Sequence, residues 1–125
     1  VCLALMDVFP LRPGHVLVMP KTHGEHLADL SPALRAHLLE TANRIAQALR
    51  RSALAPDGIH FAVNEGRAAH QTVPHSHIHV LPRRRGDLLG LIGQILSKPI
   101  QLIRGPRAPD ERERQARLIA EQLEP

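Results

Sequence analysis

The sequence places three histidines at alternate positions, His75, His77 and His79. Successive side chains of a β-strand point to opposite faces, so this period of two predicts that the three imidazoles line one face of a strand. The intervening Ile78 and Val80 suit the opposite, buried face. A neutral imidazole near pH 7 can serve as a nucleophile, a proton donor or a metal ligand. The row therefore predicts a reactive site with three possible chemistries.

The spacing of the row disfavours a metal site. Zinc holds its donors at about 2.0–2.1 Å in a tetrahedron. His75 and His79 are four strand rises apart, about 13 Å between their Cα atoms, so three imidazoles cannot converge on one ion unless the strand bulges. Two of them could, but the remaining ligands would have to come from elsewhere, and Glu65 is one possible source. We therefore expect no metal ion on the row.

The residues on either side of the row point to an anion. Asn64, Gln71 and Thr72 are neutral hydrogen-bonding side chains that precede it, and Arg83 follows it. Neutral donors and a guanidinium group suit phosphate oxygens. The same residues also fit an ordinary hairpin connection and a solvated strand end. On composition alone the two interpretations stay open.

Length and charge narrow the class of protein. With 125 residues and a net charge of +4, the chain fits one domain with a preference for anionic ligands. Phe9 and Phe61 are its only aromatic side chains, which leaves no stacking platform for single-stranded nucleic acid. No apolar stretch is long enough for a membrane span. We therefore expect neither a nucleic acid nor a membrane as partner.

Cysteine content indicates the compartment and restricts metal chemistry. Cys2 is the single cysteine, so an intramolecular disulfide and a Cys-rich zinc module are both excluded within these residues. A reducing cytoplasm is the expected location. The chain begins at Val1, inside what reads as a strand, and we expect further sequence upstream of it.

The pattern along the chain predicts strands that alternate with two helices. We predict strands at Val1–Met6, His15–Met19, Ile59–Val63 and Val73–Leu81, a long helix over Pro32–Arg50 capped by Ser31, and a final helix beginning near Pro109–Asp110. The segment Leu88–Ile103 is apolar but has no clean period. A lid, a dimer contact and an irregular core element all remain open for it.

The stretch His75-Ser-His-Ile-His-Val-Leu81 resembles the histidine-triad (HIT) motif, in which three histidines alternate with apolar residues. Ser76 is the one departure, since it stands at an apolar place. Three further blocks resemble the family in order and spacing: Cys2–Asp7, Pro13–His23 and Asn64–Val73. The resemblance extends from Val1 to Asp87, and the combination of blocks is highly specific.

This resemblance implies an α+β fold, with an antiparallel sheet of about five strands, one long helix and here a C-terminal helix. We expect residues 1–125 to form a single HIT domain. The family usually forms homodimers, and the helix at Pro32–Arg50 is a candidate interface.

The resemblance also implies a reaction. Family members are nucleotide hydrolases or transferases that cleave at the α-phosphate, with dinucleoside polyphosphates and nucleoside phosphoramidates among their substrates. By position, His77 is the nucleophile that forms a covalent nucleotidyl-histidine. His79 contacts the α-phosphate and the leaving group, His75 supports the nucleophile, and His15 joins the same network. The alternative is a regulatory module that binds nucleotides without turnover.

Six further positions match nucleotide contacts in the family. They are Asp7 for the ribose hydroxyls, Val8 for the base, Asn64 and Thr72 for phosphate, Gln71 for phosphate or leaving group, and Arg83 for the extra phosphates of a dinucleoside polyphosphate. His70 departs from the pattern, because glycine usually precedes the glutamine.

The resemblance implies no required cofactor. Some relatives carry a structural zinc bound by a Cys-x-x-Cys together with histidines such as the one at His23. In this chain that site would need cysteines upstream of Val1.

Overall fold

A computed structural model describes residues 1–106 and 108–123. Its strands are β1 (Cys2–Met6), β2 (Val16–Pro20), β3 (Gly58–Ala62) and β4 (Ile78–Arg83), and its α-helices are α1 (Pro32–Arg51), α2 (Leu88–Leu96), α3 (Lys98–Arg104) and α4 (Pro109–Ala120). Two single-turn 3-10 helices, Leu27–Asp29 and Arg67–Ala69, lie in the connections. None of the described helices is both long and apolar enough to cross a membrane.

The strands form one antiparallel sheet in the order β1-β2-β4-β3. Strand β4 is therefore internal, with Leu17 of β2 opposite His79 on one side and Ala62 of β3 opposite His79 on the other. The predicted α+β class is confirmed. The described part of the chain has four strands where about five were expected.

Strand β4 begins at Ile78, so the predicted strand start at Val73 was wrong. Pro74 has no N–H to give to a ladder. The N–H of His75 donates instead to the carbonyl of Val73 (2.8 Å), and the N–H of Ser76 donates to the carbonyl of Gly24 (2.7 Å). These backbone groups belong to a turn and a loop contact, and His75 and His77 consequently precede the strand.

Helix α1 forms as its sequence predicts and covers one face of the sheet. The Ser31 hydroxyl accepts the N–H of Leu34 at 3.2 Å, and Pro32 occupies the first helical position. Leu38 and Leu49 are fully buried, in one core with Val18 and Val80 of the sheet. Burying a leucine side chain of this kind contributes about 1.5–3 kcal/mol, which holds β2 and β4 firmly under the helix.

The unassigned segment Leu88–Ile103 is helical and lies on the surface. The segment consists of helices α2 and α3, and none of the residues of these helices is buried. Eight of their leucines and isoleucines are 42% to 88% exposed, which excludes the irregular core element. Asp87 ties down the turn before α2, because its carboxylate accepts hydrogen bonds from the guanidinium of Arg83 and from the N–H of Arg84.

The final helix starts at Pro109, as predicted, and packs on the domain. Ile119 is buried in the main core, and the Gln115 side-chain oxygen accepts the N–H of Gly14 at 3.1 Å. The turn that precedes His15 is therefore held by a helix far along the chain.

Candidate active site

Strand geometry brings His15 and His79 to the sheet face that α1 leaves open. Val16 and Val18 point into the core under α1. Leu17 faces the other way by alternation, and so does His15, which directly precedes β2. Because Leu17 pairs with His79 in the register, His15 and His79 are diagonal neighbours on that face.

The two imidazoles are joined by a hydrogen bond whose direction is fixed. Nε2 of His15 lies 2.9 Å from Nδ1 of His79. The backbone N–H of Leu11, which can only donate, is 3.1 Å from Nδ1 of His15. Neutral His15 therefore carries its proton on Nε2 and donates it to His79 Nδ1. His79 must then carry its own proton on Nε2, which leaves an N–H donor for a ligand.

Burial keeps this pair neutral. Desolvation lowers the pKa of His15, and the nearby Asp7 carboxylate opposes that change without overcoming it. Desolvation, followed by the charges of His15 and His77, lowers the pKa of His79 to about 4. At pH 7 both rings are uncharged, as the hydrogen bond between them requires.

His77 presents a free ring nitrogen beside this pair. Its Nδ1 is 2.8 Å from the carbonyl oxygen of His75, so Nδ1 carries the proton and donates it. Nε2 then holds the lone pair, and it makes no hydrogen bond within the described residues. The rings of His77 and His79 are 4.8 Å apart between centroids, at 62°. An unprotonated nitrogen therefore lies next to an N–H donor, an arrangement suited to attack on phosphorus.

The imidazole of His75 lies apart from the other three. Its Nε2 is 2.8 Å from the carbonyl oxygen of Pro20, and its Nδ1 is 3.3 Å from Nδ1 of His23. His75 thus contacts His77 through its backbone carbonyl and not through its ring. The sequence predicted one row of three histidines. The structure instead groups the rings of His15, His77 and His79, and the ring of His75 is bound beside them to Pro20 and His23.

Asp7 lies next to the histidine pair. Its N–H donates to the carbonyl of His15 (3.0 Å), which extends the β1–β2 pairing by one residue. One carboxylate oxygen accepts the N–H of Phe9 at 2.8 Å, and the other lies 3.5 Å from Nδ1 of His15. The neighbouring Val8 side chain is exposed. Both predicted nucleoside contacts are therefore on the edge of the site.

The predicted phosphate contacts differ in how free their side chains are. Asn64 and Thr72 make no side-chain hydrogen bond within the described residues, and Asn64 follows β3 at the end that pairs with His79. Gln71 is fully engaged. Its amide oxygen accepts the N–H of Gly66, and its amide nitrogen donates to the carbonyls of Glu25 and Val73. Gln71 therefore joins two loops in this conformation and has no amide hydrogen directed at a ligand.

His70 explains why glycine is usual before that glutamine. Its backbone is left-handed, with φ of +64°. A residue with a Cβ in that region pays about 1–2 kcal/mol relative to the right-handed form, although histidine tolerates it better than most. The loop keeps its shape despite the departure in sequence.

Arg83 is paired with Asp87 in this conformation, and its predicted contact with phosphate stays a prediction. Its guanidinium makes three hydrogen bonds of 2.6–3.1 Å to the Asp87 carboxylate, and its remaining nitrogen contacts Nδ1 of His60 at 3.2 Å. The side-chain hydrogen bonds from Arg83, followed by the hydrogen bond from the Arg84 backbone N–H, lower the pKa of Asp87 to about 2. In this conformation each of the three guanidinium nitrogens of Arg83 has a partner in Asp87 or His60, and the Arg83–Asp87 pair ties down the turn before α2.

Lys98 is a residue that the sequence analysis missed. It opens α3, is exposed, and makes no hydrogen bond or ion pair within the described residues. Desolvation is the main cause of the lowered pKa of His15 and of His79, and the positive charge of Lys98 lowers both by a smaller amount. The sequence gives no sign of this effect, because it depends on the path of α2 and α3 after Asp87.

Metal binding can be judged from two groups of side chains. Asp7, His15 and His79 offer three ligand atoms within 4.8 Å of one another, the only such group among the described residues. Their facing ring nitrogens, however, are occupied by the His15–His79 and Leu11–His15 hydrogen bonds. An ion there would have to displace both, so these residues do not fit a metal in this conformation.

His23 and His75 form the second group. Their Nδ1 atoms approach to 3.3 Å at the surface. A structural zinc needs four donors, and Glu65, the carboxylate considered from the sequence, instead accepts the N–H of Leu27 at 2.7 Å. Within the described residues the pair supplies two of the four donors.

Comparison with known proteins gives consistent matches. The HIT domain matches residues 1–86. An uncharacterised HIT-like protein of Mycobacterium tuberculosis is 43% identical over 121 residues, 97% of this chain and 77% of its own. The bis(5'-adenosyl)-triphosphatase of Dictyostelium discoideum is 35% identical over 113 residues, 90% of this chain and 74% of its own. A zinc-bound histidine triad family protein from Mycobacterium smegmatis superposes with a TM-score of 0.77 at 42% identity, covering 98% of this chain and 77% of its own.

Proposed function

Because the chain belongs to the HIT family, we propose that it is a nucleotide hydrolase or nucleotidyl transferase that cleaves at the α-phosphate of a nucleotide conjugate. One observation carries the proposal. The unprotonated Nε2 of His77 lies beside the ring of His79, whose Nε2–H is available as a donor. A nucleophile and a donor for the reacting phosphate are thus adjacent and already in the required tautomers.

In the first step Nε2 of His77 attacks the α-phosphorus. The nitrogen lone pair forms the N–P bond, the bond from phosphorus to the bridging oxygen breaks, and the leaving phosphate keeps that electron pair. The Nε2–H of His79 donates a hydrogen bond to the oxygen on which charge develops, and no proton is transferred. His77 keeps its Nδ1–H, so the imidazole ring of the intermediate is cationic. The ring is therefore a good leaving group when the N–P bond breaks in the next step.

In the second step water resolves the intermediate. The water oxygen forms a bond to phosphorus, the N–P bond breaks, and its electron pair returns to His77 Nε2. The released proton passes to solvent. If another nucleophile replaces water, the same intermediate gives nucleotidyl transfer.

The neutral histidine pair favours one substrate class. When a phosphoanhydride is cleaved, the leaving group departs as a phosphate anion and needs no proton. When a phosphoramidate is cleaved, the departing amine must take up a proton. With its pKa lowered to about 4, His79 is uncharged at pH 7 and is a weak proton donor there. We therefore rank dinucleoside polyphosphates above nucleoside phosphoramidates as substrates.

Binding of the nucleotide follows from the free groups around the histidines. We assign Asp7 to the ribose hydroxyls, Val8 to the base, and Asn64 and Thr72 to the phosphates. Because Arg83 and Gln71 are engaged in the fold, we assign the contact to the leaving phosphate to Lys98, an exposed cation whose charge reaches His79. In this proposal, binding of the nucleotide requires no metal ion held by the protein. The His23–His75 pair would hold a zinc ion only with two donors from outside the described residues.

We also propose that two copies of the chain pair through the α2–α3 face, the eight exposed leucines and isoleucines of those helices. A soluble monomer rarely exposes a contiguous apolar patch larger than a few hundred Å². Eight large apolar side chains on two consecutive helices are 42% to 88% exposed, which is an apolar surface that a second copy could cover. Helix α1, the candidate from sequence, exposes a single large apolar side chain, Leu39.

Turnover by wild-type and His77→Ala protein tests the function. Both would be incubated with diadenosine triphosphate and with adenosine 5'-phosphoramidate, and AMP release followed by chromatography. We expect AMP from wild type and a loss of at least about 1,000-fold in His77→Ala, as is usual when a nucleophile is removed. The matched control, His37→Ala, changes an exposed histidine of α1 and should keep full activity. Nucleotide binding without turnover by wild type would contradict hydrolysis and favour the regulatory module.

A further inference from the structure

A buried amide of the C-terminal helix lies against the turn that precedes His15. Gln115 of α4 is 4% exposed, and its side-chain oxygen accepts the N–H of Gly14 at 3.1 Å. Its amide nitrogen donates to the Glu111 carboxylate at 2.9 Å, one helical turn earlier on the same face. The orientation of the amide is fixed, because the Gly14 N–H can only donate and a carboxylate can only accept. The position therefore requires an acceptor and a donor together, which an amide supplies.

The Gly14 N–H that Gln115 binds is buried and closely packed. Gly14 is buried with a φ of +85°, and a Cβ there would come within 2.9 Å of Leu54 and 3.2 Å of Pro82. A buried backbone N–H is almost always paired, because an unpaired one loses its hydration without compensation. Removing the Gln115 oxygen would leave this N–H without its acceptor. We expect the turn to shift in that case, so that the N–H reaches solvent or another acceptor.

The turn that contains Gly14 also controls the ring of His15. The His15 N–H donates to the Arg12 carbonyl at 3.2 Å, and the Leu11 N–H donates to Nδ1 of the ring at 3.1 Å. A second group competes for that nitrogen, because a carboxylate oxygen of Asp7 lies 3.5 Å from Nδ1. If the Leu11 N–H moves away, Nδ1 can carry the proton and donate it to Asp7.

That change would reverse the hydrogen bond between His15 and His79. With its proton on Nδ1, His15 accepts at Nε2, and Nδ1 of His79, 2.9 Å away, must donate to it. Nε2 of His79 then carries a lone pair and no longer an N–H. The ring beside His77 would become an acceptor where the proposed reaction needs a donor.

We propose that Gln115, oriented by Glu111, is a positioning residue for the histidine pair, because by binding Gly14 it holds the Leu11 N–H against His15. The inference rests on the proposed function in one respect, that the Nε2–H of His79 serves the reaction. The tautomer itself is a property of the protein without ligand. The inference adds that a helix beyond residues 1–86, the range matched by the HIT domain, helps to organise the active site.

The variant Gln115→Met tests this role, since it keeps the length of the side chain and removes both hydrogen bonds. The ¹⁵N chemical shifts of His79 report which nitrogen is protonated. We expect the Nδ1–H tautomer of His79 to appear in the variant. We also expect kcat for diadenosine triphosphate to fall about tenfold with little change in KM, the lower end of the range for residues that orient an active histidine.

An exchange of the two side chains provides a rescue. In the double variant Glu111→Gln, Gln115→Glu, the carboxylate at position 115 accepts the Gly14 N–H, and the amide at position 111 donates to that carboxylate. The double variant should recover the wild-type tautomer and kcat. Gln115→Glu alone places two carboxylates in contact, which repel each other, and at pH 8 it should lose both.

Ile119→Val is the matched control, since Ile119 is a core residue of the same helix, four residues after Gln115. It should keep the wild-type tautomer and kcat. The wild-type tautomer in Gln115→Met would overturn the inference and leave the proposed function standing. A shifted tautomer that the exchange fails to restore, that Ile119→Val reproduces, or that leaves kcat undiminished would overturn it as well. A wild type without turnover, whose tautomer shifts in Gln115→Met and returns in the exchange, would overturn the proposed function alone.

Discussion

Nε2 of His15 lies 2.9 Å from Nδ1 of His79, and the Leu11 N–H at Nδ1 of His15 decides which of the two donates. The Leu11 N–H can only donate a hydrogen bond, so it determines which nitrogen of His15 is protonated. His15 in turn determines which nitrogen of His79 is protonated. The ring of His79 is thus prepared as a hydrogen-bond donor in the absence of a ligand. Under the proposed function, the buried His15 acts by positioning this proton and not by contacting the substrate.

We predict that His15→Ala lowers kcat and changes the tautomer of His79. Without the donor on His15, Nδ1 of His79 is free to carry the proton, and Nε2 then no longer donates to the leaving group. Residues that orient an active histidine typically contribute about 10- to 100-fold to activity, and we expect a kcat loss of that size with little change in KM. The ¹⁵N chemical shifts of His79 report which nitrogen is protonated. An unchanged tautomer in the variant would contradict the positioning role.

Stability should decrease as the pH falls from about 6.5 towards about 4. Folding lowers the pKa of His79 to about 4, whereas an unfolded histidine titrates near 6.5. Between these values the unfolded chain binds a proton that the native chain does not, so the free energy of unfolding rises with pH across this window. Urea denaturation at intervals of pH measures the slope. His79→Gln should flatten the slope, and the exposed His37→Gln should leave it unchanged if burial of His79 is its cause.

Removing the charge of Lys98 should affect both titration and turnover. Desolvation is the main cause of the lowered pKa of His79 and the charge of Lys98 the smallest, so the Lys98→Gln variant should raise that pKa slightly, as followed by NMR titration. If Lys98 also contacts the leaving phosphate, kcat/KM for diadenosine triphosphate should fall about fivefold to tenfold, the lower range for a hydrogen bond to a charged group. Lys21→Gln, which changes another exposed lysine, is the control. A raised pKa with undiminished turnover would remove Lys98 from the substrate site.

The sequence predicted the elements well and the positions of side chains less well. Ser31 and the apolar stripe after it were enough to locate α1, because capping and periodicity are local properties. The predicted start of the strand that carries the histidines was wrong. Pro74 has no N–H for a strand ladder, and the N–H of His75 is bound to the Val73 carbonyl in a turn. The pairing of Arg83 with Asp87 was not predicted, because it depends on the turn between them. The effect of the Lys98 charge on the histidines depends on tertiary structure, for which no local pattern exists.

The α2–α3 face should hold a dimer together. Leu89 is 82% exposed in the isolated chain, and an aspartate there would place an unpaired charge in an apolar interface. We expect wild type to sediment as a dimer and Leu89→Asp as a monomer. Leu39→Asp makes the same change on α1, at a residue 57% exposed, and should remain dimeric. Dissociation by Leu39→Asp alone would instead favour the interface suggested by the sequence, and a monomeric wild type would contradict pairing altogether.

Ser76→Ala should stabilise the protein. Ser76 is 2% exposed, and its hydroxyl has no hydrogen-bond partner among the described residues. Burying an unpaired hydroxyl costs about 1–3 kcal/mol, so we expect its removal to raise the free energy of unfolding by about 1 kcal/mol in urea denaturation. Ser52→Ala is the opposite control. That serine is 5% exposed, but its hydroxyl donates to the Leu49 carbonyl and accepts the Leu54 N–H. Its loss should destabilise by a similar amount, so parallel changes in the two variants would contradict the role given to hydrogen bonding.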